Sequence, residues 1–166
     1  MEQPILKVDS VSKHYPGFDL KNVSFELPSG YIMGFIGPNG AGRSTTIKII
    51  MNLVRPASGN VKVFGLDHQQ DVIRIKQDIG FIGEEPHFYE EMRAGWTARF
   101  VSRQFPNWDE DLFEKLKRKF GFDSSKPVGK LSKGTKVKFS LALALAHRPK
   151  LLLMDEPTSG LDPIVA

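Results

Sequence analysis

The segment Gly37-Pro38-Asn39-Gly40-Ala41-Gly42-Arg43-Ser44 spaces glycines, a basic residue and a hydroxyl in a pattern suited to phosphate chemistry. Glycines let successive backbone N–H groups turn inward around phosphate oxygens, and a helix starting there adds the partial positive charge of its N-terminus. Ser44 offers a hydroxyl to Mg²⁺, with Thr45 beside it. The alternative is a Gly-rich turn with no ligand. Lysine usually fills the basic position of this pattern, and here it is Arg43. A lysine is a compact point charge on a thin stem, whereas arginine is planar and bulkier. The swap predicts retained or weakened nucleotide binding and strongly reduced hydrolysis.

Two further segments carry chemistry. Leu151-Leu152-Leu153-Met154-Asp155-Glu156 ends an apolar run in two carboxylates. Open α/β sheets bind ligands at the carboxyl ends of their strands. There Asp155 can hold Mg²⁺ through water and Glu156 can polarise an attacking water; taken alone, a solvated strand end explains the pair as well. Leu131-Ser132-Lys133-Gly134-Thr135 puts a hydroxyl and a glycine at an expected helix start, where an anion could bind. A simple N-cap at Ser132 accounts for the same residues.

The elements that position these segments follow from periodicity and punctuation. Ile5–Val11, Leu20–Leu27 and Tyr31–Ile36 read as strands, the last two separated by Pro28-Ser29-Gly30. Ser44–Leu53 has helical spacing, Val61–Phe64 and Ile79–Ile82 read as short strands, and Asp71–Gln77 as a helix between them. Ala94–Arg103 and Asp109–Phe120 are predicted helices, the second capped by Asn107 or Asp109 and closed by Gly121. A further helix starts near Ser132 and ends before Pro149, and Leu151–Met154 suits a strand buried on both faces of a parallel sheet. The order gives an α/β core with an inserted helical region near residues 85–149.

Composition narrows the class. With 40% hydrophobic residues and no Cys, the chain is an ordinary globular one without thiol chemistry or a disulfide scaffold. Twenty-three Lys and Arg against nineteen Asp and Glu leave +4, a weaker bias than nucleic-acid domains usually carry, so no nucleic acid is expected. No apolar run approaches the roughly 18 residues of a membrane span, and Met1-Glu2-Gln3-Pro4 lacks the features of a signal peptide. The expectation is a soluble intracellular protein that meets a membrane only through a partner.

In this order and spacing the motifs resemble the ATP-binding domain of ATP-binding cassette (ABC) transporters, and the resemblance covers essentially the whole chain. It implies a P-loop NTPase (RecA-like) α/β core with an N-terminal antiparallel β subdomain and an inserted α-helical subdomain. Residues 1–84 and 150–166 would form the core and 85–149 the helical signature subdomain. It implies ATP and Mg²⁺ as ligands, with Gly37 to Thr45 on the nucleotide and Tyr15 stacked on adenine, although an exposed strand-end tyrosine fits as well. Ser44, Asp155 and Glu84 would serve the metal, with Glu84 in the Q-loop position where the family commonly has Gln. Glu156, Arg43 and Glu84 would be catalytic. Leu131, Ser132, Lys133, Gly134 and Thr135 would be the signature motif, reaching the nucleotide of the opposite subunit in a head-to-tail dimer. Lys133 and Thr135 depart from the usual signature in a way expected of export-type members. Ser159, Gly160, Leu161 and Asp162 resemble the D-loop.

The family carries a switch histidine on a strand after the D-loop. Here His14, His68, His87 and His147 all precede Asp155 and the sequence stops at Ala166, so the resemblance predicts a domain truncated at its C-terminus. The expected function is the ATP-hydrolysing subunit of a membrane transporter, in the cytoplasm on the inner face of the membrane, with a transmembrane permease and a second ATP-binding domain as partners. A degenerate module that binds ATP without turnover is the alternative. DNA-associated ABC ATPases fit poorly, because no sustained heptads occur between Glu84 and Lys130. The basic stretch Lys115–Lys138 reads as a solvated face. Trp96, Phe100, Phe105 and Trp108 could meet the permease or form the helical region's core, and core is the expected role.

Overall fold

The computed structural model describes residues 3–84 and 87–156 and divides into two compact units, residues 1–76 and 77–166. The first unit is built on a four-stranded antiparallel sheet of order β2-β1-β3-β4, from β1 (Leu6–Tyr15), β2 (Phe18–Leu27), β3 (Ser58–Val63) and β4 (Leu66–Asp67). Alternation explains it: Leu6 and Val8 of β1 oppose Leu27 and Phe25 of β2 and Val63 and Val61 of β3, and Leu6, Val8, Val61 and Val63 are all buried. Pro16-Gly17 closes the β1–β2 hairpin, pairing Tyr15 with Phe18. Helices α1 (Arg43–Ile50) and α2 (Val72–Gln77) complete the unit, with Ile49, Ile50 and Ile75 buried.

One expectation fails here. Tyr31–Ile36 forms no strand with any described residue, and Ile32 and Ile36 are almost fully exposed. An apolar run signals a surface that wants cover, but a strand exists only where a neighbour takes its N–H and C=O groups. Phe35 alone finds a ring partner, Phe25 of β2 at 5.4 Å.

The second unit holds a parallel pair, β5 (Ile79–Ile82) with β6 (Leu151–Met154), and helices α3 (Ala94–Ser102), α4 (Glu110–Phe120) and α5 (Lys133–Ala146). Asp109 caps α4, its carboxylate accepting from the Leu112 N–H at 2.8 Å, and Gly121 ends the helix in the left-handed region at φ 68°. The helices share a core of Ala94, Ala98, Phe113, Leu116, Phe122, Phe139, Leu143 and their neighbours. β6 is less enclosed than expected: Leu151 is buried, but Met154 is 45% exposed, because among the described residues only β5 pairs with it. No described helix is long and apolar enough to cross a membrane.

Helix α5 is pressed against β5. A Cβ on Gly80 would lie 2.8 Å from the Ala144 carbonyl oxygen, so no larger residue fits without separating the two. His147, just past α5, donates from Nε2 to the Ile79 carbonyl at 3.1 Å and stacks on Phe105 at 3.9 Å. His68 in the first unit bonds the Val61 carbonyl at 3.1 Å through Nδ1. Burial pushes both histidines below their ordinary pKa, and the carbonyls offset only part of that. Unfolded histidine takes a proton near pH 6.5, so the unfolded chain binds more protons than the folded one below that point. The stability these two groups contribute is therefore complete above about pH 6.5 and declines as the pH falls from there. The carboxylates held low, Asp19, Asp67, Glu90, Asp109 and Asp123, lose their contribution only as the pH falls below about 5. The unfolding temperature is predicted to drop between about pH 7 and pH 5, with a shallower drop in His147→Gln. Parallel profiles for the two proteins would contradict the assignment.

Candidate functional site

In the first unit the loop from Gly37 to Gly42 leads into α1, and two of its glycines take the left-handed conformation, Gly40 at φ 80° and Gly42 at φ 89°. At φ 89° Gly42 holds a backbone state that strains any L side chain, and a Cβ there would also stand 2.5 Å from Leu20 Cδ1 and 3.0 Å from Phe18 Cζ, side-chain ends that would have to shift. A turn from the Ala41 N–H to the Pro38 carbonyl (3.1 Å) tightens the loop. The Gly42 carbonyl then accepts from both the N–H (2.8 Å) and the hydroxyl (2.9 Å) of Thr46, fixing the first turn of the helix. Gly42 supplies no side-chain cap, and no acidic residue lies in that turn. Such a helix start favours an anion, through its dipole and its first-turn amides.

The other loop residues are arranged around that start. Pro38, Asn39, Gly40 and Ala41 are exposed, while Gly37, Arg43, Ser44 and Thr45 are half-buried. Arg43 Nη2 reaches back to Asn39 Oδ1 at 3.5 Å, so the guanidinium lies along the loop that it follows. Tyr15 is 40% exposed and stacks on Phe18 at 6.4 Å, with the Lys13 ammonium 5.4 Å from its ring. Phe18 therefore borders both Tyr15 and Gly42. Motif reasoning passed over Phe18 and Leu20, although Pro16-Gly17 between Tyr15 and Phe18 is a two-residue hairpin signal that pairs them.

In the second unit the parallel register brings the carboxylates to one end. Ile82 pairs with Met154, and the ladder continues one step as the Asp155 N–H donates to the Ile82 carbonyl at 2.9 Å. Glu84 follows β5 and Asp155 and Glu156 follow β6 at that same end; Asp155 is buried, Glu156 is half-buried and Glu84 exposed. Glu156 takes a positive φ of 47°, an uncommon backbone state for a residue with a Cβ. Among the described residues no group of three or more His, Cys, Asp or Glu converges to hold a metal.

Ser132 sits at the N-cap of α5. Its Oγ accepts from the Thr135 N–H at 3.2 Å and lies 2.8 Å from the Thr135 hydroxyl. Leu131 is buried, Lys133 is exposed, and Gly134 and Thr135 are half-buried. Lys136, one turn on, donates to Glu90 at 2.7 Å and holds that carboxyl below its ordinary pKa. Ser159, Gly160, Leu161 and Asp162 lie outside the described residues. Trp96 and Phe100, expected in the core, are instead exposed at 46% and 48%, whereas Trp108 packs on the core and Phe105 on His147. The cap at Ser132 gives a prediction: Ser132→Ala should cost about 1 kcal/mol in urea unfolding, and Ser132→Asp, an equally good cap, should cost little. Equal losses in both would show that the hydroxyl does not cap the helix.

Comparison with known proteins agrees with the motifs. The ABC transporter family model matches residues 20–159. An uncharacterized ABC transporter ATP-binding protein, YdbJ, of Bacillus subtilis (strain 168) is 36% identical over 98% of this chain and 54% of its own length. The bacitracin transport ATP-binding protein BcrA of Bacillus licheniformis is 34% identical over 96% of this chain and 53% of its own. The chain thus spans about half the length of these curated relatives. Among solved structures, an ATP-binding subunit of an ABC transporter superposes with a TM-score of 0.85 at 31% identity, covering 96% of this chain and 69% of that one. The fold is that of a P-loop NTPase, and the chain belongs to the ABC transporter family.

Proposed function

We propose that the protein is the ATP-binding and ATP-hydrolysing subunit of an ABC membrane transporter, working as a head-to-tail dimer of ATP-binding domains with a transmembrane permease. The observation that carries this reading is the glycine loop, whose left-handed turns at Gly40 and Gly42 open into a helix with no side-chain cap. BcrA, named for bacitracin transport, supports the transporter assignment by similarity. The working location is the inner face of the cell membrane, reached through the permease.

Each residue then has a role. Residues 37–45 bind the phosphates and Tyr15 stacks on the adenine. Ser44, Asp155 and Glu84 would hold Mg²⁺, which when bound would supply positive charge against the phosphate oxygens. Glu156 orients and polarises the attacking water. Leu131 to Thr135, at the start of α5, act on the nucleotide of the opposite subunit, and Ser159 to Asp162 link the two sites. Catalysis of this kind is positioning plus charge stabilisation. Residues 1–84 and 150–166 form the nucleotide core in this reading, and 85–149 the helical subdomain.

Arg43 favours a second reading, in which the protein holds ATP without turnover. Its planar head replaces a slender lysine and lies along the loop toward Asn39. Nucleotide titration beside phosphate release separates the two, in the protein assembled with its partner domain. The leading reading predicts saturable ATP binding with measurable release. It also predicts a release rate about 10²–10⁴-fold lower in Glu156→Gln with binding retained, and a faster rate in Arg43→Lys. Saturable binding with no release from the parent protein would support the second reading, and absence of binding would contradict both.

A further inference from the structure

Between Lys115 and Lys138 stand nine Lys and Arg against one acid, Asp123, while the rest of the chain holds fourteen basic residues against eighteen acidic ones. The positive excess of the protein is therefore confined to one stretch of the second unit. Five of its cations, Lys115, Arg118, Lys119, Lys126 and Lys130, are exposed. None of the ion pairs among the described residues engages them, whereas Lys117 and Lys136 are taken by Glu114 and Glu90. Asp123 accepts from the N–H and the hydroxyl of Ser125 at 2.9 and 2.7 Å, and Lys126 acts on it only as a longer-range charge.

The packing gathers these five. The Asp109 N–H donates to the Ala146 carbonyl at 2.8 Å, so α4 starts where α5 ends. Phe122, just past α4, meets Phe139 in the first half of α5 at 5.3 Å. The two helices thus run antiparallel, with the end of α4 beside the start of α5. The connection between them bears Lys126 and Lys130, and it is pinned where the Val128 and Gly129 N–H groups donate to the Met92 and Glu90 carbonyls, both at 2.9 Å. On α4, Lys115, Arg118 and Lys119 stand at i, i+3 and i+4, away from the buried Phe113 and Leu116. Folding explains only part of this. Cations in the last turn complement the helix dipole, but Lys115 lies outside that turn and repels both Arg118 and Lys119. Lys126 and Lys130 lie beyond the helix altogether.

We propose that this basic face docks directly on the anionic lipid headgroups of a membrane. Clusters of about 4–8 Lys or Arg are what such surfaces typically recruit, and this one has five. Four of the five are lysines, whose compact, hydrated ammonium acts as a point charge without the geometric demand of an arginine fork. Lysine is depleted at protein–protein interfaces, so an acidic protein is the poorer fit. Single-stranded nucleic acid asks for exposed rings on which bases stack, and Phe113, Phe120, Phe122 and Phe139 all turn onto the helical core. A bilayer rich in anionic lipid is a diffuse plane of negative charge that asks for neither. The proposal goes beyond the transporter reading, which brings the protein to the membrane through a permease. Here the chain has a contact of its own with lipid.

The test is co-sedimentation of the full chain with vesicles of about 30% phosphatidylglycerol in phosphatidylcholine, or of phosphatidylcholine alone. The expected result is binding to the anionic vesicles only, weakening at least about tenfold between about 0.05 M and 0.3 M salt. Lys115→Gln, Lys119→Gln, Lys126→Gln and Lys130→Gln together should weaken it at least about fiftyfold. The control removes the same charge from exposed residues elsewhere, Lys21→Gln, Arg55→Gln, Lys62→Gln and Arg74→Gln, and should weaken it less than about threefold. Both variants should keep the midpoint of ATP titration within about twofold of the parent. A second readout needs no variant: anionic vesicles should slow acetylation of Lys115, Lys119, Lys126 and Lys130 in the parent protein and leave Lys62 unchanged. No binding to anionic vesicles overturns the proposal, as do equal binding to both vesicles, equal losses in the two variants, or uniform protection from acetylation. Tighter binding to duplex DNA than to anionic vesicles at the same salt overturns it in favour of nucleic acid. Failure of vesicle binding with ATP titration intact sinks the lipid contact and leaves the transporter reading standing. Vesicle binding without ATP binding does the reverse.

Discussion

The turn into α1 depends on the backbone freedom of Gly42. Its φ of 89° is one at which L-residues are strained, and a methyl group there would also displace the side-chain ends of Phe18 and Leu20 of β2. That backbone state does two things at once. It lets the chain turn sharply into α1, and it leaves the helix start open, with no side chain of its own folded over the first amides. Phe18, which presses on Gly42, also stacks on Tyr15. One residue of the sheet thereby ties the aromatic edge to the phosphate-type loop.

The second unit is organised by α5. Its first residue follows the Ser132 cap, and its last turn lies against Gly80, with His147 bonded to the start of β5. β6 begins after the short connection that follows, where the Lys150 N–H donates to the Asp78 carbonyl at 2.8 Å. Asp155 and Glu156 follow β6, so one helix and one strand carry the Leu131–Thr135 segment and the acidic pair. Ala144 packs on Gly80 and Phe105 on His147, so the end of α5 is fixed against β5.

Local signals made much of this legible in the sequence. Asp109 and Gly121 bracket α4 as cap and stop because both act through their own backbone and need no distant partner. The Gly37–Ser44 spacing foretold the loop and the helix after it for the same reason. Tyr31–Ile36 departs from the strand it reads as because a continuous apolar run reports a wish for burial, and a strand also needs a neighbour. Trp96 and Phe100 read as partner contact or core, with core the expected role, and they are exposed. Helical phase would have set them apart, since Ala94, Thr97, Ala98 and Val101 already complete the inward stripe. Phe18 escaped notice because its importance is a contact with a glycine distant in sequence, which no local pattern encodes.

The central claim is that the amides around Gly40, Gly42 and Ser44 receive phosphate. Amide-resolved NMR during titration with ATP and Mg²⁺ addresses it directly. The account predicts saturable shifts that are largest at the N–H groups of Gly40, Gly42 and Ser44. No shifts at all, or saturable shifts confined to amides away from residues 37–45, would contradict it.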